Sequence, residues 1–113
     1  MQLIKDASAE KLRGAYYTPH AIASFILHWG INGGKDADIL EPSCGDGVFL
    51  ECVRDENMLF NTVTAVEYEA AEADKARALG LHDSEVINQD FHLFCLDTEK
   101  RFDLVVGNPP FIR

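Results

Sequence analysis

The segment from Ala37 to Val48 constrains the fold more than any other part of the chain. A short apolar run, Ala37 to Leu40, leads into Glu41-Pro42-Ser43-Cys44-Gly45-Asp46-Gly47, and a helical pattern resumes from Val48 to about Met58. Strand, glycine loop and helix in that order open a βαβ unit, in which glycines let the backbone approach a ligand beyond the strand's carboxyl end and a helix amino terminus faces it. The alternation returns downstream. Thr62 to Val66 reads as a strand, Glu69 to Leu79 as an Ala-rich helix closed by Gly80, Ser84 to Ile87 as a strand and Phe102 to Val106 as a fourth. Upstream, Thr18 can cap and Pro19 suits the first turn of an apolar helix that runs to about Trp29, with Gly30, Gly33 and Gly34 ending it. Strands alternating with helices predict an α/β fold: a parallel sheet of about four strands with helices on its faces.

The 113 residues are the length of one domain, without repeats or low-complexity segments. With 47% hydrophobic and 26% charged residues, a disordered tail is excluded. Lys and Arg number 10 against 19 Asp and Glu, a formal charge of −9. Modules that grip nucleic acid by its phosphates carry a basic face, so these residues alone are not expected to hold DNA or RNA tightly. Cys44, Cys52 and Cys95 form no CxxC pair, which fits a reducing cytoplasm. His20, His28, His82 and His92 are scattered without ligand spacing, so no metal is expected. The most apolar stretch, Ala21 to Ile31, is interrupted by Ser24 and His28 and is far too short to span a membrane, which predicts a soluble protein without membrane association.

About twenty residues after Gly45 and Gly47, Glu67 ends the second strand, where a carboxylate can accept hydrogen bonds from two ribose hydroxyls. Strand, glycines, helix, strand and acid together point to an adenosine-containing cofactor. A nicotinamide dinucleotide fits poorly, because Phe49 or Leu50 stands where a third small residue is wanted and Glu41 would repel a pyrophosphate. A cofactor with a positive centre suits Glu41 better.

Five motifs in register carry a resemblance. Gly14-Ala15-Tyr16-Tyr17-Thr18-Pro19, Leu40 to Leu50, Ala65-Val66-Glu67, Asn88-Gln89-Asp90-Phe91 and Asn108-Pro109-Pro110-Phe111 closely resemble the amino-terminal part of S-adenosylmethionine-dependent N6-adenine DNA methyltransferases of restriction-modification systems. The resemblance implies a partial Rossmann-like methyltransferase fold and one incomplete domain over 1–113. Residues 1–30 form an amino-terminal segment and helix with the Tyr-Thr-Pro motif, 31–113 are the cofactor half ending at the catalytic tetrapeptide, and no recognition domain is expected within them. It implies S-adenosyl-L-methionine as cofactor. Tyr17 and Thr18 would close over its methionine end, Glu41 would face its ammonium group, and Cys44, Gly45 and Gly47 would shape the loop beneath it. Glu67 would take the ribose hydroxyls and Tyr68 would flank the adenine. Asp90 would accept from the adenine amino group with Phe91 against the ring, although Asp90 read alone is more readily a helix cap or turn residue.

The tetrapeptide makes chemical sense on its own. The exocyclic nitrogen of adenine is a poor nucleophile because its lone pair is delocalised into the ring. Acceptors on both of its hydrogens, the Asn108 side-chain oxygen and the Pro109 carbonyl, draw it toward a tetrahedral form and take up developing positive charge. Pro110 stiffens that carbonyl's neighbourhood, and Phe111 offers a face on which an extruded base can stack. The same tetrapeptide serves methyltransferases of protein glutamine and of RNA, but the Tyr-Tyr-Thr-Pro segment directly before the first strand favours adenine. DNA is therefore expected as substrate of a longer enzyme, with weak or no DNA binding and little turnover by these residues alone. A non-enzymatic cofactor-binding fragment is the alternative. An open edge at Leu104 to Val106 is expected to promote self-association.

Overall fold

The computed structural model describes residues 18–31, 36–45 and 47–108. Helix α1 spans His20–Ile31, β1 Asp38–Glu41, α2 Val48–Asp55, β2 Thr62–Glu67, α3 Ala70–Ala78, β3 Ser84–Asn88, α4 Phe91–Asp97 and β4 Leu104–Val105. The four strands form one parallel sheet in the order β3-β2-β1-β4, with Ile39 opposite both Val63 and Leu104, and Val63 opposite Ser84.

Both faces of the sheet are covered, as the continuous apolar runs of β1 and β2 require. Alternation along those strands sends Ile39, Val63 and Ala65 into one core with Leu27, Phe49, Leu50, Val53 and Ala76 from α1, α2 and α3. Leu40 and Val66 go to the other face, where Phe94 of α4 meets them with Ile87, Phe91 and Phe102 around it. The chain thus steps from β1 to β3 with its helices on one face, then returns past β1 to β4 with α4 on the other. Right-handed crossovers demand this change of face whenever the direction of winding reverses.

Helix ends follow local chemistry. The pattern predicted to continue to Met58 stops at Asp55 because Asn57 takes up a left-handed conformation, φ 50°, and the Met58 N–H donates back to the Val53 carbonyl at 3.1 Å. Gly80, φ 66°, follows α3 as expected. Helix α4 adds to the elements that the residue pattern predicts, since Phe91 to Asp97 shows no long apolar period. Asp90 starts it as an N-cap, its Oδ1 accepting from the His92 and Leu93 N–H groups at 2.8 and 3.3 Å. The strand expected over Phe102 to Val106 shortens to Leu104–Val105, in register with Ile39 and Leu40 of β1, although the Asp103 and Val106 N–H groups still donate to the Asp38 and Leu40 carbonyls at 2.8 and 2.9 Å. Asp90→Ala is expected to cost about 1 kcal/mol of stability through loss of the cap, read from the midpoint of chemical denaturation. No described helix is long and apolar enough to cross a membrane.

Candidate functional site at the carboxyl ends of the strands

Reversal of winding between β1 and β4 leaves a crevice beyond their carboxyl ends, the place where open α/β sheets receive ligands. Glu41, the last residue of β1, lies there with only 1% of its surface exposed. Its Oε1 accepts a long hydrogen bond from the Ser43 N–H at 3.3 Å; its Oε2 is buried and, among the described residues, has no partner. The Ser43 hydroxyl is buried in the same condition. Burial pushes the Glu41 carboxyl up to about 8; the charge of Glu67 works in the same direction and the Ser43 N–H against it. Leaving a carboxylate oxygen buried without a donor is costly, and a cation or donor brought by a ligand would relieve that cost.

Across the crevice, Gly107 follows β4. A Cβ built there would run into Oε1 of Glu41, and it would lie 3.2 Å from that residue's Cδ and 3.4 Å from Cδ of Pro42. A side chain at 107 would therefore require the Glu41 carboxyl or the end of β4 to shift. Asn108, the first residue of the tetrapeptide, is next, and its Nδ2 donates to Oγ1 of Thr18 at 3.2 Å. Thr18 is buried just ahead of α1, so one hydrogen bond joins motifs 90 residues apart in sequence.

The glycine loop is tied to β2. Oε1 of Glu67, the last residue of that strand, accepts from the Gly45 N–H at 2.8 Å, and Oε2 accepts from the Glu69 N–H at 2.9 Å. The Cys44 N–H donates to the Val66 carbonyl at 3.0 Å, and the Cys44 side chain is buried. Gly45 and Gly47 both have positive φ, 54° and 96°. They differ in surroundings: open space lies in front of Gly45, whereas a Cβ on Gly47 would come within 2.7 Å of the Leu79 side chain and 3.3 Å of the Ala76 backbone. Gly47 thus also lets α2 begin close against α3.

Tyr68, directly after β2, is 69% exposed. Asn88 at the end of β3 holds the adjoining backbone, its Nδ2 donating to the carbonyls of Glu67 and Tyr68, both at 2.9 Å. Asp90 and Phe91 follow β3. Asp90 uses Oδ1 for both cap bonds, and the Phe91 ring stacks on Phe94 at a centroid distance of 6.0 Å. The expected site residues Thr18, Glu41, Cys44, Gly45, Gly47, Glu67, Tyr68, Asp90, Phe91 and Asn108 therefore gather around the strand ends; Tyr17, Pro109, Pro110 and Phe111 lie outside the described residues. Sequence reasoning overlooked Gly107, Asn88 and Ser43. Their signals were present, as a glycine immediately before the tetrapeptide, an asparagine before Gln89-Asp90 and a hydroxyl inside the glycine loop, but only packing gives them meaning.

A doubly wound sheet with a glycine loop, two buried carboxylates and a crevice at its switch point defines a class of ligand-binding α/β protein. The family model for N-6 DNA Methylase matches residues 2–113, and the chain belongs to that family. It is similar to the Type II methyltransferase M.CvrRI of Paramecium bursaria Chlorella virus XZ-6E, with 32% identity over 121 residues that cover 98% of this chain and 30% of that protein. The chain thus spans about a third of that relative's length. Among solved structures, a putative RNA methyltransferase, PH1948 from Pyrococcus horikoshii, superimposes with a TM-score of 0.68 at 24% identity, covering 86% of this chain and 49% of the other. The DhpI–SAH complex structure matches with a TM-score of 0.57 at 28% identity, covering 77% and 39%.

Proposed function

We propose that this chain is the cofactor-binding and catalytic-motif part of a site-specific DNA methyltransferase that transfers the methyl group of S-adenosyl-L-methionine to adenine N6 within a restriction-modification system. Family membership supports the reading, and the observation that carries it is the buried Glu41 carboxyl packed against Gly107, the residue before Asn108, at the switch point. A buried acid oxygen without a donor suits a ligand with an ammonium group, since attraction between opposite charges is strong where water is excluded. Glu41 would hold that group, with Tyr17 and Thr18 beside it. Glu67, Tyr68, Asp90 and Phe91 would receive the nucleoside, over a loop shaped by Cys44, Gly45 and Gly47. Each Glu67 oxygen already accepts one backbone N–H and keeps a lone pair for a ribose hydroxyl.

When bound, the cofactor supplies an electrophilic methyl on a sulfonium. The chain's own residues supply position. Because Nδ2 of Asn108 donates to Thr18, its Oδ1 is turned away from that hydroxyl and can accept from the amine of a target base, with the Pro109 carbonyl as the second acceptor, Pro110 as stiffener and Phe111 as stacking face. DNA would be gripped by parts of a longer protein, which agrees with the charge of −9 carried here. Val105, 59% exposed on a strand paired on one side among the described residues, supports addition of a further strand, or self-association, at that edge. We place the protein in the cytoplasm.

Titration calorimetry of the 113-residue chain is the direct test. Heat is expected with S-adenosylmethionine and not with NAD, and Glu67→Ala should weaken binding at least tenfold. Comparable heat with NAD, or none with S-adenosylmethionine, would overturn the cofactor assignment. In a longer parent, Asn108→Ala should abolish methylation of adenine in duplex DNA while leaving cofactor affinity nearly unchanged. Transfer to RNA or to protein glutamine in place of DNA would overturn the substrate assignment.

A further inference from the structure

On the side of the molecule where α1 crosses α2, a second group of chemistry-bearing side chains comes together that the proposed methyl transfer does not use. An imidazole nitrogen of His20, Sγ of Cys52 and a carboxylate oxygen of Glu56 all lie within 4.8 Å of one another. His20 also stands within the same distance of carboxylate oxygens of Glu51 and Asp55, which themselves lie as close to each other. One nitrogen, one sulfur and nearby oxygen donors form the mixed set that a borderline-soft divalent ion prefers, and zinc takes four such ligands in a tetrahedron. We propose that His20, Cys52 and Glu56 are three protein ligands of a zinc-binding site that pins α1 to α2, with water in the fourth position.

Three features favour it. First, the thiol is held in place: Cys52 is fully buried, and its Sγ donates to the main-chain carbonyl of His20 at 3.5 Å, which keeps the sulfur at the start of α1. Second, Glu56 is oriented from behind. Its Oε1 accepts from Ser24 Oγ at 2.9 Å and lies 2.7 Å from Nε2 of His28, the outer contacts that commonly aim a ligating carboxylate. Third, the charge there is poorly balanced. Asp55 and Glu56 stand at the carboxyl end of α2, where the helix dipole already carries partial negative charge and acids are disfavoured. Arg54 pairs with Asp55 at 2.8 Å and His28 with Glu56, while Glu51 adds a further negative charge. A divalent cation would offset that excess. The sequence shows no ligand spacing because the donors come from two helices, with His20 and Cys52 separated by 32 residues.

On binding, the Cys52 S–H bond breaks, the sulfur pair forms the metal bond and the proton passes to solvent. The test uses the 113-residue chain and Co2+ as a spectroscopic probe for Zn2+. One equivalent of Co2+ should produce an intense near-ultraviolet thiolate charge-transfer band together with visible bands of tetrahedral geometry, both removed by added Zn2+. Cys95→Ser, which removes the exposed cysteine, should leave the signal intact. Cys52→Ser should abolish the near-ultraviolet band, and His20→Ala should weaken binding about ten- to a hundredfold. Because Cys52 is buried and its variant could unfold, the exposed His20 variant carries the test independently, with circular dichroism confirming its fold. No thiolate band in the parent chain, or unchanged affinity in His20→Ala, would overturn the proposal.

Discussion

Replacing Glu41 by Gln is expected to raise the stability of the unliganded protein at pH 8 and above, and to remove most of the pH dependence expected of the parent between about 4.5 and 8. The carboxyl has an ordinary value of 4.5 and is pushed up to about 8 in the fold by burial, so between those limits the native state holds a proton that the unfolded chain has released. Stability then falls as pH rises, because its slope with pH follows the difference between protons bound by the unfolded and the native state. The contribution is fully present below 4.5 and is lost as pH passes through about 8. At about 1.4 kcal/mol per pH unit, one such group could change stability by roughly 5 kcal/mol across that window, an upper bound that solvent relaxation reduces to a few kcal/mol. Gln keeps the shape and has no charge to bury. Denaturant midpoints at intervals between pH 5 and 9 would check it; parallel profiles for parent and variant would refute the account of Glu41. If the proposed cofactor is bound, its ammonium makes the charged carboxylate favourable. Binding to the parent should then tighten as pH rises from 6 to 8 with release of a proton, and Glu41→Gln should lose both the affinity and its pH dependence.

Gly107→Ala is the second large effect. The added methyl would meet the Glu41 carboxylate and crowd Pro42, so either the end of β4 withdraws from β1 or Glu41 leaves its buried position. Overpacking of this kind costs about 1–3 kcal/mol. Because it also displaces Glu41 and, through the next residue, Asn108, cofactor affinity should fall at least tenfold. Gly45→Ala is the informative control. It has a left-handed φ of 54° but open space in front of it, so only backbone strain applies, about 1 kcal/mol. Combining Glu41→Ala with Gly107→Ala should cost less stability than the two changes summed, since the first removes the group that the second strikes. Additive costs would show that the methyl at 107 collides with something else.

Much of the architecture was legible from residue order. Apolar runs at Ile39-Leu40 and Val63 to Val66, each followed by turn chemistry and a helical stretch, demand strands buried on both faces, and the glycine loop points to their carboxyl ends as the proposed site. Boundaries were less legible because tertiary hydrogen bonds set them. α2 ends where Asn57 turns left-handed, and β4 is in register with only Ile39 and Leu40 of β1. α4 is not legible in the sequence because seven residues are too few to show a helical period, and Asp90, its cap, is also a residue type that suits a cofactor ligand.

The chain's order of residues determined by itself the α/β class, the glycine loop, the acids at the strand ends and the motif that ends in Asn108, because these depend on local periodicity and on residue chemistry at short spacing. Only the tertiary structure decided that Glu41 is buried with an oxygen that lacks a donor among the described residues, that Gly107 lies against that carboxyl, that Thr18 meets the amide of Asn108, and that Cys52 reaches the start of α1 at His20. Each of these facts arises between elements far apart in sequence. Burial and distance, which set the energy of a charge or a hydrogen bond, exist only once those elements have packed.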